Sequence, residues 1–305
     1  MHTPMFSFIM PCYKRQFLGK AFESILAQTY DDFELVVVND ASPENLYEVV
    51  NSISDPRLRY EENITNLGGR DLVACWNHCL QFARGEYVIL ATDDDVIEPT
   101  FLEDAVRMIK KYPEVDLLRQ GVRKIDPVGE PLEYELFPKE YLTSSEFAYF
   151  WGCCGLISCI SNFIFRRKTL VSQGGFVPFP HAHYSDVATA LAMSRKGVAC
   201  VQAYNLGFWM SDVNLSNRGE WSLALDQMKA SNMFMQWLTG HLESIGTDFY
   251  TQRAFYGFRE QYWYMISNLI QKVPKTRLQN IFTAVPRSNY LYKKEKVKLL
   301  LNYLS

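Results

Sequence analysis

Three consecutive carboxylates, Asp93, Asp94 and Asp95, stand directly after the apolar run Tyr87–Ala91 and shortly before Pro99. Adjacent carboxylates repel one another and are poorly hydrated at the end of a strand, so a bound divalent cation is the simplest way to hold them together. A hard cation bound through only one or two carboxylates shares its remaining coordination with water and phosphate oxygens. The cluster therefore points to a nucleoside diphosphate substrate, with a solvated acidic turn as the plain alternative.

Those carboxylates need a scaffold, and the hydrophobic pattern supplies one. Phe6–Met10 and Phe33–Val38 are runs rich in β-branched and aromatic residues, and between them Phe17, Leu18, Ala21, Phe22, Ile25 and Leu26 recur at helical spacing. A helix is expected after Pro43, a strand near Leu58–Glu61, a helix over Leu72–Ala83, the strand Tyr87–Ala91, an amphipathic helix after Pro99 and a strand near Val115–Gln120. Strands alternating with helices predict an α/β fold with a doubly wound, mostly parallel sheet. In such sheets ligands sit beyond the carboxyl ends of the strands, which is where Pro11–Arg15, Asn39–Ser42 and Asp93–Asp95 fall. A less regular region follows to about Gly207, and from about Glu220 the pattern is helical and rich in aromatic residues. Residues 1–219 therefore read as a catalytic domain and 220–305 as a helical extension.

The 305 residues are 48% hydrophobic, enough to bury a full core, and carry a formal net charge of -3. From Lys272 to Ser305 there are eight basic residues and one acidic, so an acidic body precedes a basic tail. Seven cysteines without a paired C-x-x-C spacing read as reduced, buried thiols. Cys75 and Cys79 lie four apart on one helix, a spacing that suits a metal, yet no second pair completes a zinc site. No charged segment followed by an apolar one opens the chain, and no run is long enough to span a bilayer, so a cytoplasmic protein is expected. Nucleic acid is not expected as a partner.

At this level of detail the chain resembles family 2 glycosyltransferases, inverting nucleotide-sugar enzymes of the GT-A fold. Five stretches carry the resemblance: FIMPCYKRQFLGKAFESILAQTYDDFELVVVNDAS, NLGGRDLVACWNHCLQFARGEYVILATDDDVIEP, SNFIFRRKTLVSQGGF, YSDVATALAMSRKG and a degenerate FWMSDVNLSN. Together they cover about residues 6–217, and the first two are the most specific.

The resemblance implies a nucleotide pocket in which Pro11 shapes the loop after the first strand, Tyr13 stacks on the base and Arg15 reaches a phosphate, although either of the last two could be a plain surface residue. It assigns Asp40 to the base, where a carboxylate accepting from a ring N–H favours uracil. Asn66, Gly68 and Arg70 would approach phosphate or ribose, or form an ordinary turn. Asp94 matches the metal-ligating position of the D-x-D type motif, Asp93 a ribose or metal contact, and Asp95 completes the motif or caps the next turn. Thr92 occupies the place of the usual first aspartate. Asp186 matches the general base, with Ser185 where relatives carry a glutamate, and a helix N-cap is the competing explanation. Trp209 and Ser211 replace the arginine or histidine that relatives place in the last stretch.

Other candidates lie around these. His181 and His183 resemble half a zinc site or, more simply, an acceptor-side loop. Trp151, Gly152 and Gly155 could shape an acceptor pocket, with a buried core tryptophan as the alternative. Lys293, Lys294, Lys296 and Lys298 give the tail a basic amphipathic face that could rest on an anionic membrane or simply be solvated. The aromatic helices could bury one another or a second subunit.

The expected activity is metal-assisted, inverting transfer of a sugar from a nucleoside diphosphate donor, UDP foremost, to a hydroxyl of a glycan or lipid-linked acceptor, with Mg2+ or Mn2+. A non-catalytic nucleotide-sugar binding protein is the alternative from another class. A sugar nucleotidyltransferase would need a glycine-rich loop where MPCYKR stands, and a dinucleotide dehydrogenase would need G-x-G-x-x-G.

Overall fold

The structure, a computed structural model, describes residues 3–16, 18–92, 95–126, 128–157, 159–209, 221–277, 279–281 and 289–304. Eight strands form the main sheet. β1 (Phe6–Cys12), β2 (Phe33–Asn39), β3 (Leu58–Glu62) and β4 (Tyr87–Leu90) make its parallel half in the order β3-β2-β1-β4. The connecting helices are α1 (Leu18–Leu26), α2 (Leu46–Asn51) and α3 (Leu72–Leu80), followed by α4 (Phe101–Lys111) after β4 and the short β5 (Val96–Ile97). The alternation read from the sequence is thus the observed one.

The other half is mixed. Beside β4 lie β10 (Phe163–Arg166), antiparallel to both neighbours, then β6 (Leu117–Arg119), β11 (Val198–Cys200) parallel to β6, and the edge strand β9 (Tyr141–Leu142). A second sheet, absent from the sequence-based expectation, has the order β5-β12-β7-β8 and uses β7 (Val122–Ile125), β8 (Pro131–Tyr134) and β12 (Leu206–Trp209). Its strands are two to four residues long, too short for any period to show in the sequence.

β1 runs two residues further than expected and takes in Pro11, which therefore sits in a strand and not in the loop after it. Pairing with β2 continues through Pro11↔Val38 and Cys12↔Asn39, whereas the last described rung toward β4 is the Ala91 N–H donating to the Ile9 carbonyl at 2.9 Å. The next rung on that side would need an N–H from position 11, and proline has none. The sheet therefore releases the chain after Ala91, directly ahead of the acidic cluster.

Beyond residue 140, α5 (Ser144–Cys154) starts in a capping box between Thr143 and Glu146 and ends at Gly155, whose φ of 69° only glycine adopts freely. α6 (Arg167–Ser172) and α7 (Ser185–Met193) follow, then the long α8 (Trp221–Ile245) and α9 (Phe249–Gln271), and finally α10 (Lys293–Leu304). One buried cluster extends from Val38 and Leu90 through Trp151 and Phe163 to Phe234 and Tyr262, so the last helices share a core with the sheet. Among the described residues no helix is long and apolar enough to cross a membrane.

All seven cysteines are free thiols, as expected, but Cys153 and Cys154, in the last turn of α5, are exposed, and the Cys153 thiol donates to the Arg253 carbonyl of α9 at 3.2 Å. Inside the molecule α5 meets α9 closely. A Cβ on Gly257 would stand 2.3 Å from the Gly152 carbonyl oxygen. Gly257→Ala should therefore lower the free energy of unfolding by about 1–3 kcal/mol, overriding alanine's better helix propensity. Gly240→Ala in α8, where nothing lies within 4 Å, should raise it by up to about 1 kcal/mol. Chemical denaturation of both variants checks this, and an unaffected Gly257→Ala protein would refute the packing account.

Candidate active site

The carboxyl ends of β1 and β2 and the loop after β3 converge on Asp40. Its side chain is buried and accepts three hydrogen bonds: from the Asn63 amide at 2.8 Å, the Leu67 N–H at 2.9 Å and the Gly68 N–H at 2.7 Å. A Cβ at position 68 would come within 3.0 Å of Asp40 Oδ2, so glycine there permits close approach to the carboxylate. Asn66 Oδ1 in turn accepts from the Gly69 N–H, and Asp71 caps α3 by accepting from Val73 and Ala74 N–H. Arg70 is exposed on the same loop. Asn63, which nothing in the sequence singled out, is as much a part of this cradle as Gly68.

The loop after β1 is fastened to the same end of β2. Ser42 donates to the Tyr13 carbonyl at 2.6 Å, the Arg15 N–H donates to Glu44 at 2.6 Å, and the Arg15 guanidinium meets Glu48 at 2.9 Å. Tyr13 itself is 43% exposed. Arg15 is a surface ion pair, a partner that a phosphate could replace at small cost. Ala41, between Asp40 and Ser42, has a φ of 51°.

On the far side of β4, Thr92 lies 3.3 Å from the buried hydroxyl of Ser161. Asp93 and Asp94 fall outside the described residues, as does Ser211, and of Trp209 only the place in β12 is described. Asp95 is described and buried. The buried Cys159 thiol is pushed well up, first by burial and then by the charge of Asp95, with Glu135 and Asp186 adding to it and Arg119 opposing. Asp95 and Asp186 thus bear on one thiol although 91 residues separate them in sequence.

Asp186 is the second residue of α7. The helix is preceded by Tyr184 as N-cap, with a φ of 70° and no capping side chain, so Asp186 is not the cap that its sequence position allowed. Its carboxylate lies in the first turn, where the helix dipole favours negative charge. Ser185, in the place of a second acid, accepts from the Phe179 N–H at 3.1 Å and shapes the approach to α7. His181, Ala182 and Tyr184 all have positive φ, and with Ala41 they are the described non-glycine residues in that conformation. Backbone strain of this kind persists where surrounding structure imposes it, and here it sits beside both candidate carboxylates.

The two histidines differ. His181 meets Asp226 at 3.1 Å near the surface, whereas the Nε2 of His183 is buried without a hydrogen-bond partner, and burial pushes its pKa down to about 4. Among the described residues no group of three or more His, Cys, Asp or Glu side chains is placed to hold a metal ion, which covers both the histidine pair and Cys75 with Cys79. The Cys79 thiol is held protonated by its hydrogen bond with Cys75 and by burial. The donors that remain at the strand end are hard carboxylate oxygens, which suit magnesium or manganese better than a soft ion.

Two measurements follow from this geometry. Asp40→Ala would leave the Leu67 and Gly68 N–H groups without their acceptor, so a loss of about 2–4 kcal/mol in stability is expected together with weakened nucleotide binding. A variant as stable as wild type would show that the cradle holds without Asp40. Burial also lowers His241 to about 4, so both it and His183 are neutral in the fold. Between their ordinary value of 6.5 and about 4 the unfolded chain binds more protons than the folded one, and stability falls as pH falls through that window. Thermal melts from about pH 7 to about pH 4.5 should show this decline, shallower in His241→Phe; an identical slope would exclude His241 as a contributor.

Comparison with known proteins agrees with this arrangement. The profile of Glycosyl transferase family 2 matches residues 7–173. The uncharacterized glycosyltransferase MJ1057 of Methanocaldococcus jannaschii is 31% identical over 157 residues, 50% of this chain and 52% of that protein. Other curated relatives are matched over 22–46% of their lengths. Staphylococcus aureus TarS residues 1–349 in complex with UDP-GlcNAc superimposes with a TM-score of 0.65 at 18% identity, over 98% of this chain and 89% of that one. The mannosyltransferase PcManGT of Pyrobaculum calidifontis, solved with GDP-Man and Mn2+, gives 0.58 at 16% identity over 99% and 85%. At such identities the structural likeness speaks for the GT-A fold alone. A profile match across more than half of the chain, centred on the strands that converge at Asp40 and the acidic cluster, places this protein in glycosyl transferase family 2.

Proposed function

We propose that the chain transfers a hexose or amino-hexose from a nucleoside diphosphate donor, UDP foremost, to a hydroxyl of a glycan or lipid-linked acceptor with inversion at the anomeric carbon. The observation that carries this reading is the Asp40 cradle at the carboxyl ends of β1 and β2, inside the stretch that matches glycosyl transferase family 2. In this reading Asp95 stands on the donor side and Asp186, in the first turn of α7, is the base. The UDP-GlcNAc complex of TarS and the GDP-Man complex of PcManGT support a nucleotide-sugar donor.

The roles follow from side-chain chemistry. Tyr13 offers an exposed ring for the base to stack on. Asp40 uses three of roughly four acceptor positions on the cradle, leaving one for a ring N–H. Arg15 and Arg70 bring positive charge to the diphosphate, Arg15 by exchanging Glu48 for a phosphate oxygen, and Asn66 and Gly68 keep the loop tight against Asp40. Asp94 and Asp95 would hold magnesium or manganese, with Asp93 at the ribose; a bound ion supplies charge compensation to the departing diphosphate. Asp186 accepts the acceptor hydroxyl's proton as that oxygen bonds to the anomeric carbon and the bond to phosphate breaks. On α10 the exposed Lys293, Lys294 and Lys298 flank exposed Val297 and Leu301, which supports peripheral contact with an anionic membrane where lipid-linked acceptors reside.

The test is nucleotide release from a panel of UDP-, GDP- and dTDP-sugars with manganese or magnesium. Wild type should release one nucleoside diphosphate, and Asp94→Ala and Asp186→Asn should each lose at least about 100-fold in rate. Proton NMR of the product linkage then reads inversion directly. Binding of UDP with metal but no turnover of any donor would favour a non-catalytic binding protein, in keeping with Ser185 at the second acidic position. No nucleotide binding at all would overturn the proposal.

A further inference from the structure

A cleft of about 520 Å³ opens between α5, the start of α7 and α9. This lies within the roughly 300–1,000 Å³ range of small-molecule sites. Its walls include Tyr184 and Val187, the residues on either side of Ser185 and Asp186, so whatever fills it lies against the segment that carries the candidate base. Trp151 from α5 and Phe258 from α9, both almost fully buried, form its apolar floor, and Tyr264, 68% exposed, stands at the rim with Glu260 and Gln261. We infer that this cleft is an acceptor subsite, supplied in large part by α9, that takes sugar rings of a neutral oligosaccharide while its reacting hydroxyl reaches Asp186. The inference rests on the transferase reading above.

The cleft has a fixed shape. The Gly152–Gly257 crossing sets the distance between α5 and α9, and the Gln261 amide nitrogen donates to the Trp151 and Gly152 carbonyls at 3.1 and 3.0 Å, bracing the end of α5. Tyr184 is stacked on Phe234 of α8 with ring centroids 4.3 Å apart. A preformed wall of this kind costs little ordering on binding.

Its chemistry selects among occupants. Sugar rings present apolar C–H faces to aromatic rings and hydroxyl donors at their edges, and the cleft offers aromatic surface together with the Glu260 carboxylate and the Gln261 amide oxygen as acceptors. An acyl or prenyl chain has no use for those acceptors. Glu260 lies 3.6 Å from the Arg259 guanidinium, which also meets Glu295 of α10 at 2.7 and 2.8 Å, so two carboxylates share one cation and a polyanion would meet the remaining negative charge. Tyr256, Glu260 and Tyr264 follow one another at four-residue intervals on α9, with both tyrosines exposed, so the surface continues out of the cleft along the helix.

Binding of cellotetraose and chitotetraose should be measured by saturation-transfer NMR and titration calorimetry on the full chain in the presence of UDP and manganese. At least one should bind, and Tyr264→Ala and Glu260→Ala, both at exposed positions and checked by melting temperature, should each weaken it about tenfold. The KM for that acceptor should rise by a similar factor. If wild type binds UDP but neither oligosaccharide, or if both variants bind the oligosaccharide as wild type does, the assignment of the cleft is wrong while the transferase reading stands. If phosphatidylglycerol vesicles or polyglycerol phosphate bind instead and Tyr264→Ala abolishes it, the occupant is anionic and the inference is equally overturned. Failure to bind UDP is the separate result that would sink the transferase reading itself.

Discussion

The arrangement depends on one buried ion pair, Arg119 with Glu135. Both side chains are 1% exposed, and the two meet through parallel hydrogen bonds of 2.9 and 2.6 Å. Arg119 ends a strand of the main sheet and Glu135 follows the last strand of the small one, whose first long strand is held by the Val122 N–H donating to Glu135 at 2.7 Å. Arg119 also donates to the Ile157 carbonyl, and Glu135 accepts from the Ile157 N–H. Two sheets and the chain leading into Cys159 and Ser161 are thereby tied at one point. Burying two charges is expensive, and the bonds to main chain offset part of that cost: both Glu135 oxygens are doubly engaged, while the Arg119 Nε is buried without a partner.

What the pair holds in place is Ile157, two residues ahead of Cys159. Ser161 sits against Thr92, just beyond β4, and burial together with the charge of Asp95 raises the Cys159 thiol. Proline at position 11 contributes from the other side. By withholding an N–H it ends the ladder toward β4 and lets the chain turn out of the sheet where the acidic residues begin. The strain at Ala41 lies beside Asp40, and that at His181, Ala182 and Tyr184 lies just ahead of Asp186. Each is held by satisfied neighbours: the Asp40 cradle in one case, the Ser185 hydroxyl and the Tyr184–Phe234 stack in the other.

The C-terminal helices are part of this construction. α9 approaches α5 so closely that glycine is required on both, and a single core runs between them and the sheet. A helix pair packed in this way transmits position faithfully, because a displaced α9 would have to open a contact with no side chain to compress. The cleft beside Tyr184 and Val187 exists only because the two helices meet there.

The sequence by itself determined the α/β alternation, the acidic cluster after a buried strand and the family, because each is written in local periods and short spacings. The places of Asp40 at a strand end and of Gly68 in the loop before α3 were legible for the same reason. Other features were decided only by tertiary structure. The second sheet is made of strands too short to carry a period, Asn63 binds Asp40 across 23 residues, and Arg119 meets Glu135 through a fold-dependent register. That Asp186 lies inside its helix was hidden because Tyr184, and not the acid, takes the left-handed turn before it. Glu260, Gln261 and Tyr264 read as one face of an ordinary aromatic helix until α5 was brought against it. Local patterns record what a segment does with water, whereas a site depends on which segments share a surface, and that is set by packing across the whole chain.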